Sequence, residues 1–337
     1  MSAQTDVRVV PYSIRMTDRF RGITEREGVL LSGPAGWGEF CPFPEYDDAI
    51  ASRWLATAVE ACTAGWPRPL RRSVPVNCIV PAVTPERAAE LVVASGCSTA
   101  KVKVADHPDS LAEDLARVEA VRSALGPQGA VRVDANMRWD VDQAVHALRE
   151  LIRVAGELEY AEQPCRTVEE LARVRRRVDV RIAADESIRQ AADPTRVPLG
   201  EAADVAVIKC TPLGGVRRAL EVAESTGLPC VVSSALETSV GLAAQVALAA
   251  ALPELPFACG LGTVSLFTKD VVVPSESLRP VGGVVRVPDA APAPDEAALA
   301  ALEMTDPARR AWWQARLERA VAGLPDPSAA PEGWLQA

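Results

Sequence analysis

Three acidic residues stand at the ends of short β-branched runs that predict successive strands. Asp134 and Glu162 end two of these runs, and Asp185 directly follows a third. Because the carboxyl ends of parallel strands meet on one face of a barrel, we expect the three carboxylates to lie together. Buried carboxylates repel one another unless a cation lies between them. Carboxylate oxygens suit Mg²⁺, with Mn²⁺ as a substitute, so the pattern predicts a divalent-metal site.

Three lysines flank these carboxylates along the chain. In the run 100–104 the side chains alternate, so Lys101 and Lys103 point to one side of a predicted strand and the valines to the other. Lys209 ends a later strand, about one strand–helix unit after the last carboxylate. Any one of these residues alone could cap a helix or form an ordinary ion pair. The ordered set on five consecutive strands favours a catalytic site.

The scarcity of histidine also favours lysine and carboxylate chemistry. His107 and His146 are the whole supply, so zinc sites built on several histidines have few ways to form, and so do triads that share a histidine. We expect His107 in a loop and His146 in a helix, both structural or solvated. General acid–base work therefore falls to carboxylates or lysines.

The elements that must position these side chains repeat from Ser73 onward, each unit being a short strand, a polar loop and an amphipathic helix. The predicted strands are 74–80, 101–104, 131–134, 158–162, 181–184, 205–209, 229–233 and 257–259. The predicted helices are 85–94, 110–125, 141–154, 167–178, 215–225 and 239–251. Eight such strands predict an α/β fold, a (β/α)8-like modified TIM barrel. A doubly wound open sheet is the alternative, but no GxGxxG motif follows the first strand.

The residues before Ser73 do not follow this rhythm. They predict an α+β unit, residues 1–72, in front of a barrel at 73–270. Its predicted elements are three antiparallel strands and one helix, at 7–14, 27–32, 36–39 and 47–64.

The tail, residues 271–337, has a different composition again. A Pro- and Ala-rich linker at 288–294 precedes a mainly helical stretch at 296–324. Trp312 and Trp313 predict that this stretch packs onto the body, with an exposed patch for a partner as the alternative.

Composition excludes several classes of protein. The chain has 337 residues, with 36 Lys and Arg against 45 Asp and Glu, and a formal net charge of −9. This acidic balance argues against a general nucleic-acid binder. Eight scattered cysteines without a CxxC motif, and a start without an apolar signal core, favour a reducing cytoplasm. The most apolar stretch, 240–252, is shorter than the roughly 20 residues that span a bilayer. We expect a cytoplasmic protein that acts on a small molecule; the sequence does not fix its oligomeric state.

The motifs that carry the lysines and carboxylates, KVK, VDAN, EQP, ADES and IK, resemble those of the enolase superfamily in its Lys/Lys, muconate-lactonising-like subgroup. From about residue 8 to 270 the chain also resembles the actinobacterial o-succinylbenzoate synthase family. The stretches that carry this second resemblance are RFRGITEREGVLL at 19–31, GWGEFCPFPEY at 36–46 and SSALETSVGLAA at 233–244.

The resemblance implies roles for individual residues. Asp134, Glu162 and Asp185 would bind Mg²⁺. Lys103 would be the acid and base, and Lys209 would stabilise charge from the opposite face of the intermediate. The supporting residues would be Lys101, Asn136 and Glu186. A capping domain with its loop around 19–24, and the loop after the seventh strand, would supply the substrate-binding residues Arg19, Arg21, Gly22, Ser233, Ser234 and Glu237.

The resemblance also implies a reaction. It is the Mg²⁺-dependent syn-dehydration of 2-succinyl-6-hydroxy-2,4-cyclohexadiene-1-carboxylate to 2-succinylbenzoate, in menaquinone biosynthesis, through an enediolate. The alternative is an isomerase of the same superfamily, an N-succinylamino-acid racemase or a dipeptide epimerase, in which both lysines transfer protons. The short N-terminal unit and its RFRGIT loop favour dehydration. A Schiff-base aldolase with Lys103 or Lys209 as nucleophile leaves the carboxylates unexplained, and an inactive binding barrel leaves the whole set unexplained.

Overall fold

The N-terminal residues form an antiparallel sheet with one helix packed against it. The strands are β1 (Val9–Phe20), β2 (Ile23–Gly33) and β3 (Gly36–Phe40), and the helix is α1 (Asp48–Thr63). The structure, a computed structural model, describes residues 7–331 and 333–335. Arg21 and Gly22, with φ of +50° and +82°, form a two-residue turn between β1 and β2. Two positive φ angles suit the twist of paired strands, and glycine adopts them without steric cost.

The remaining strands are β4 (Ser73–Pro75), β5 (Cys78–Val80), β6 (Thr99–Lys103), β7 (Ala130–Asp134), β8 (Tyr160–Glu162), β9 (Ile182–Ala184), β10 (Val205–Ile208), β11 (Cys230–Val232) and β12 (Val284–Arg286). In the described part of the chain, seven of them, β5 to β11, form one curled parallel sheet. Their spatial order is their order in the sequence, as in a (β/α) barrel. The predicted fold class is therefore confirmed.

The first and last predicted barrel strands differ from expectation. The run 74–80 divides into β4, which pairs antiparallel with β12, and β5, which joins the barrel sheet. The predicted eighth strand is reduced to two parallel bridges, Val76 with Cys259 and Ser233 with Gly260. These bridges connect the segment after the last barrel helix to both edges of the sheet, and so close the curl.

The helices of more than four residues lie close to the predicted ranges, whereas two four-residue helices, which follow β9 and β10, were not predicted. They are α2 (Pro85–Ser95), α3 (Leu111–Leu125), α4 (Val141–Ala155), α5 (Val168–Arg175), α6 (Glu186–Arg189), α7 (Cys210–Leu213), α8 (Val216–Thr226), α9 (Ser239–Ala251), α10 (Glu296–Leu302) and α11 (Pro307–Ala322). In α4, Asp140 and Gln143 form a reciprocal capping box, and Ala144, Leu148 and Leu151 recur on the buried face. No helix in the described residues is both long and apolar enough to cross a membrane.

Alternation along the strands separates an outer apolar layer from the interior of the barrel. Ala100 and Val102 of β6 belong to the large cluster between strands and helices, whereas Lys101 and Lys103 point the other way. A second cluster joins the N-terminal sheet to the C-terminal helices and includes Trp313, which is 1% exposed. The inward direction of both lysines, predicted from their spacing, is confirmed.

Candidate active site

Functional side chains converge at the C-terminal edge of the sheet because neighbouring strands pair in register. Lys103 of β6 pairs with Asp134 of β7, and Asp134 pairs with Glu162 of β8. Asp185 directly follows β9, and Lys209 directly follows β10. The five residues therefore occupy one edge of five consecutive strands, with a lysine on either side of the carboxylates.

On the β6 side, both lysines are bound to carboxylates. Lys101 Nζ lies 2.7 Å from Glu162 Oε2 and 3.5 Å from Asp134 Oδ2. Lys103 Nζ donates to Asp134 Oδ2 and, at 2.7 Å, to Asn136 Oδ1. The lysine pair is thus held against the carboxylates rather than extended towards solvent.

On the opposite side, Lys209 and an arginine share one carboxylate. Lys209 Nζ donates to Asp185 Oδ2 at 2.5 Å, and Arg189 Nε donates to Asp185 Oδ1 at 2.9 Å. Arg189 also donates to Glu186 Oε1 at 2.7 Å and to Tyr46 Oη at 2.5 Å. Asp185 is fully buried, so this pairing neutralises a charge that would otherwise be costly.

The electrostatics distinguish the two lysines of β6. Burial lowers the pKa of Lys103; the Asp134 carboxylate opposes this effect and the charge of Lys101 adds to it. For Lys101, burial is outweighed by Glu162 and Asp134, which raise the pKa of its ammonium group. Burial and the charge of Asp134 raise the pKa of Glu162 to about 7. Of the two lysines, Lys103 is therefore the one that loses its proton more easily.

The three carboxylates offer oxygen ligands for a divalent cation. No group of three or more His, Cys, Asp or Glu side chains within the described residues is arranged as a ready-made metal site. The lysine ammonium groups lie against the carboxylate oxygens instead. Glu162 Oε1, however, is buried without a hydrogen-bond partner among the described residues, an acceptor that a cation would satisfy. Buried carboxylate oxygens, one of them unsatisfied, are a donor set that fits Mg²⁺.

Two adjoining cavities lie at the candidate active site. An inner cavity of about 40 Å³ contains Lys101, Asp134 and Lys209 in its wall. An outer cavity of about 650 Å³ opens above it. The residues shared by both walls are Phe20, Arg21, Lys103 and Asn136. The β1–β2 turn and the tip of Lys103 therefore lie at the junction between the two cavities.

The residues predicted to bind substrate are placed unevenly. Ser233 and Ser234 line the inner cavity, and Ser234 Oγ donates to Gly260 O at 2.7 Å. Arg21 lines both cavities, whereas Arg19 and Gly22 line the outer one alone. Glu237 lines neither cavity, and its side chain is fully buried. It accepts hydrogen bonds from Thr211 Oγ1, Gln245 Nε2 and Ala235 N. The structure therefore places the Glu237 carboxylate beneath the loop after β11, whereas the resemblance implies that this side chain faces the substrate.

Three further residues, which the sequence did not predict to belong to the site, hold its backbone or its carboxylates in place. Gln163 Oε1 accepts the backbone N–H groups of Asp185 and Ser187, which fixes the end of β9. Arg26 of β2 donates to Leu236 O at 2.9 Å and so ties the loop after β11 to the N-terminal sheet. The contact of Arg189 with Asp185 could have been predicted from the sequence, because Arg189 stands four residues after Asp185, one helical turn away. The contact of Arg26 with Leu236 could not have been predicted, because the two residues are distant in sequence.

Comparison with known proteins shows the family of both domains. Residues 84–292 match the family model described as enolase C-terminal domain-like, and residues 11–62 match enolase N-terminal domain-like. A dipeptide epimerase from Enterococcus faecalis, solved in complex with Mg and the dipeptide L-Leu-L-Tyr, superposes with a TM-score of 0.70. The two chains are 23% identical, and the match covers 85% of this chain and 97% of that one. At this identity the likeness concerns the fold.

Two curated relatives are much closer in sequence. The o-succinylbenzoate synthase of Thermobifida fusca is 60% identical over 313 residues, covering 92% of this chain and 95% of the relative. The o-succinylbenzoate synthase of Mycolicibacterium smegmatis is 54% identical over 302 residues, covering 89% and 91%. The chain belongs to the o-succinylbenzoate synthase family of the enolase superfamily.

Proposed function

We propose that this protein is a lyase that converts 2-succinyl-6-hydroxy-2,4-cyclohexadiene-1-carboxylate into 2-succinylbenzoate and water, a step of menaquinone biosynthesis in the cytoplasm. The observation that carries the proposal is identity of 60% and 54% to two o-succinylbenzoate synthases over about nine-tenths of the chain. The arrangement of lysines and carboxylates supports it, because removal of a weakly acidic proton next to a carboxylate requires a base and strong charge stabilisation.

Asp134, Glu162 and Asp185 would hold the cation. When bound, Mg²⁺, or Mn²⁺ in its place, would supply positive charge beside the substrate carboxylate as negative charge develops there. The ammonium groups of Lys101 and Lys103 lie against carboxylate oxygens of Glu162 and Asp134. We therefore expect these lysine contacts to rearrange when the cation binds. Glu162 Oε1, the unsatisfied acceptor, supports this assignment.

Lys103 would be both base and acid. Its neutral amine takes the proton alpha to the carboxylate, and the electron pair of that C–H bond moves towards the carboxylate to give the enediolate. The C–O bond to the ring hydroxyl then breaks as the Lys103 ammonium returns the proton, so water leaves and the ring becomes aromatic. One lysine serves both steps because the lost proton and the hydroxyl lie on the same face. The lowering of the Lys103 pKa by burial is in keeping with this role.

Lys209 would stand across the substrate from Lys103. It lies beyond the three carboxylates in the order of the strands, so its positive charge would stabilise the anion without moving a proton. Asn136 would orient Lys103 through the contact at 2.7 Å, and Asn136 Nδ2 in turn donates to Glu186 Oε1 at 3.1 Å.

Substrate must enter past the β1–β2 turn. The inner cavity of about 40 Å³ has room for about one water molecule and none for a ring with a succinyl group. We infer that Phe20, Arg21 and Gly22 move outward on binding and return to cover the ring. Arg19 and Arg21 would then approach a substrate carboxylate, and Ser233 and Ser234 the succinyl end.

The direct test is a product assay with wild-type protein. We expect 2-succinylbenzoate to form in the presence of Mg²⁺, and its formation to stop when EDTA removes the ion. Absence of product with Mg²⁺ present would overturn the proposed function.

Isomerisation is the alternative that the same side chains permit, because Lys209 could act as a second base. N-succinylamino acids of either configuration, incubated in deuterated solvent, distinguish the two activities. We expect dehydration to be much faster than deuterium exchange. If Lys209→Ala abolishes exchange of one enantiomer while dehydration partly survives, Lys209 is a competent base and racemisation accompanies the main reaction.

A further inference from the structure

A buried ion pair on α3 lies directly behind Lys103. Asp114 and Arg117 are 1% and 3% exposed, and Arg117 Nη1 lies 2.7 Å from Asp114 Oδ1. Neither residue lines the two cavities of the candidate active site. Buried charges are costly unless each is paired and fully hydrogen-bonded.

Arg117 binds the backbone at the end of β6 and in the loop after the neighbouring strand β5. Its Nη1 donates to the carbonyl oxygen of Lys103 at 3.0 Å, and its Nε donates to the carbonyl oxygen of Val83 at 2.7 Å. Val83 lies in the loop that follows β5. The guanidinium therefore fixes the backbone of Lys103 against the neighbouring strand–helix connection.

Asp114 holds the next part of the same turn. Its Oδ2 accepts the N–H of Ala105 at 2.8 Å and the hydroxyl of Ser110 at 2.9 Å. Ala105 has φ of +60°, a left-handed conformation that a residue with a β-carbon adopts only when its surroundings impose it. The carboxylate of Asp114 compensates for that strain with a buried, charge-assisted hydrogen bond.

We propose that Asp114 and Arg117 are positioning residues for Lys103, and that they fix the backbone from which its amine reaches substrate. The tip of Lys103 is held by Asp134 and Asn136, both of which also serve other parts of the site. The ion pair fixes the other end of the side chain. An acid–base group displaced by about 1 Å can lose about a hundredfold in rate, so a fixed backbone at this point is catalytically valuable. This inference rests on the proposed role of Lys103.

Arg117→Met tests the inference, and Arg122→Met is the matched control. Arg122 lies on the same helix and donates to backbone carbonyls of Gly126, Gly129 and Ala155, which are remote from the site. We expect Arg117→Met to lower kcat by about 10- to 100-fold. Its KM should change less than about twofold, because the residue does not reach the cavity. The control should retain the kcat of the folded protein.

A second readout separates positioning from loss of folded protein. With substrate deuterated at the abstracted position, a misplaced base makes proton removal more rate-limiting, so the isotope effect on kcat should rise in Arg117→Met. A smaller folded fraction would lower kcat and leave the isotope effect unchanged. Arg117→Lys, which keeps the positive charge and one donor nitrogen, should give an intermediate kcat and remains informative if Arg117→Met does not fold. Unchanged kcat and isotope effect in both Arg117 variants would overturn the inference.

The same series distinguishes this inference from the function on which it rests. If wild-type protein forms no 2-succinylbenzoate, the proposed function fails. Crystal structures of wild type and Arg117→Met then decide the positioning role, which predicts that Lys103 Nζ loses its contact with Asn136 Oδ1 in the variant. Retention of that contact would contradict it.

Discussion

Glu39 joins the N-terminal sheet to the barrel, and replacing it should loosen that junction measurably. The side chain, at the end of β3, is 2% exposed. It accepts the backbone N–H groups of Thr238 at 3.0 Å and Gly241 at 2.9 Å, at the start of α9. It also accepts the hydroxyls of Thr238 at 2.6 Å and Tyr12 at 2.5 Å. The loop after β11, which lines the inner cavity, leads directly into this helix.

The magnitude follows from the donors that lose their acceptor. In Glu39→Ala the two backbone N–H groups of Thr238 and Gly241 stay buried and unpaired, at about 1–3 kcal/mol each. We therefore expect the free energy of unfolding to fall by about 2–6 kcal/mol, a large share of the 5–15 kcal/mol typical of folded domains. Glu39→Gln keeps one carbonyl oxygen for these donors and should lose about 1 kcal/mol.

The pH dependence has a definite sign. Burial raises the pKa of Glu39, and the hydrogen bonds from Thr238 and Tyr12 only partly offset this. The folded protein therefore binds the Glu39 proton more tightly than the unfolded chain does. From the ordinary carboxyl pKa of about 4.3 up to the raised value, this group makes stability decrease as the pH rises. Glu39→Gln removes the contribution, so its deficit relative to wild type should shrink with rising pH.

Urea unfolding followed by tryptophan fluorescence measures these differences at pH 5 and pH 7.5. Glu25→Ala is the control, because Glu25 accepts an exposed hydrogen bond from Ser13 in the same sheet, and its loss should change the free energy of unfolding by less than about 0.5 kcal/mol. If the free energy of unfolding of Glu39→Ala lies within about 1 kcal/mol of the wild-type value, the junction does not depend on these hydrogen bonds and the reasoning is wrong.

Two further predictions concern charge in the active site. Glu162→Gln should raise the Mg²⁺ concentration required for half-maximal activity at least tenfold in EDTA-treated protein, as measured by titration with the ion; an unchanged requirement would exclude Glu162 as a ligand. The outer cavity contains Arg138 and Arg166 in its wall, so a dianionic substrate should be steered towards it although the chain is acidic overall. Accordingly kcat/KM should fall between 20 and about 200 mM salt, and fall less in the double variant Arg138→Ala/Arg166→Ala; equal salt dependence would contradict steering by these arginines.

Much of the arrangement of the candidate site could be predicted because parallel strands bring their ends together. The register of Lys103, Asp134 and Glu162 follows from strand pairing once the strands are located, and β6 alternates as its apolar spacing requires. The ends of the sheet could not be predicted in the same way. Apolar runs show which segments can be strands, whereas pairing partners decide which are: β12 takes β4 out of the barrel.

The roles of residues that act through tertiary contacts could not be predicted from the sequence. Glu237 is an acidic residue in the loop after β11, where a substrate ligand is expected. Its carboxylate instead lies below that loop and accepts hydrogen bonds from Thr211 and Gln245. Asp114 and Arg117 look like an ordinary surface pair at helical spacing, since nothing local shows that they are buried behind a strand end. Packing of distant segments settles both cases.

The central claim is that Lys103 moves the proton in a Mg²⁺-dependent dehydration, and Lys103→Ala tests it most directly. The rate of 2-succinylbenzoate formation at saturating Mg²⁺ should fall by at least a thousandfold, because removal of an essential base costs most of the catalysis. The melting temperature should stay close to that of wild type. A variant that kept a rate within tenfold of wild type would contradict the account.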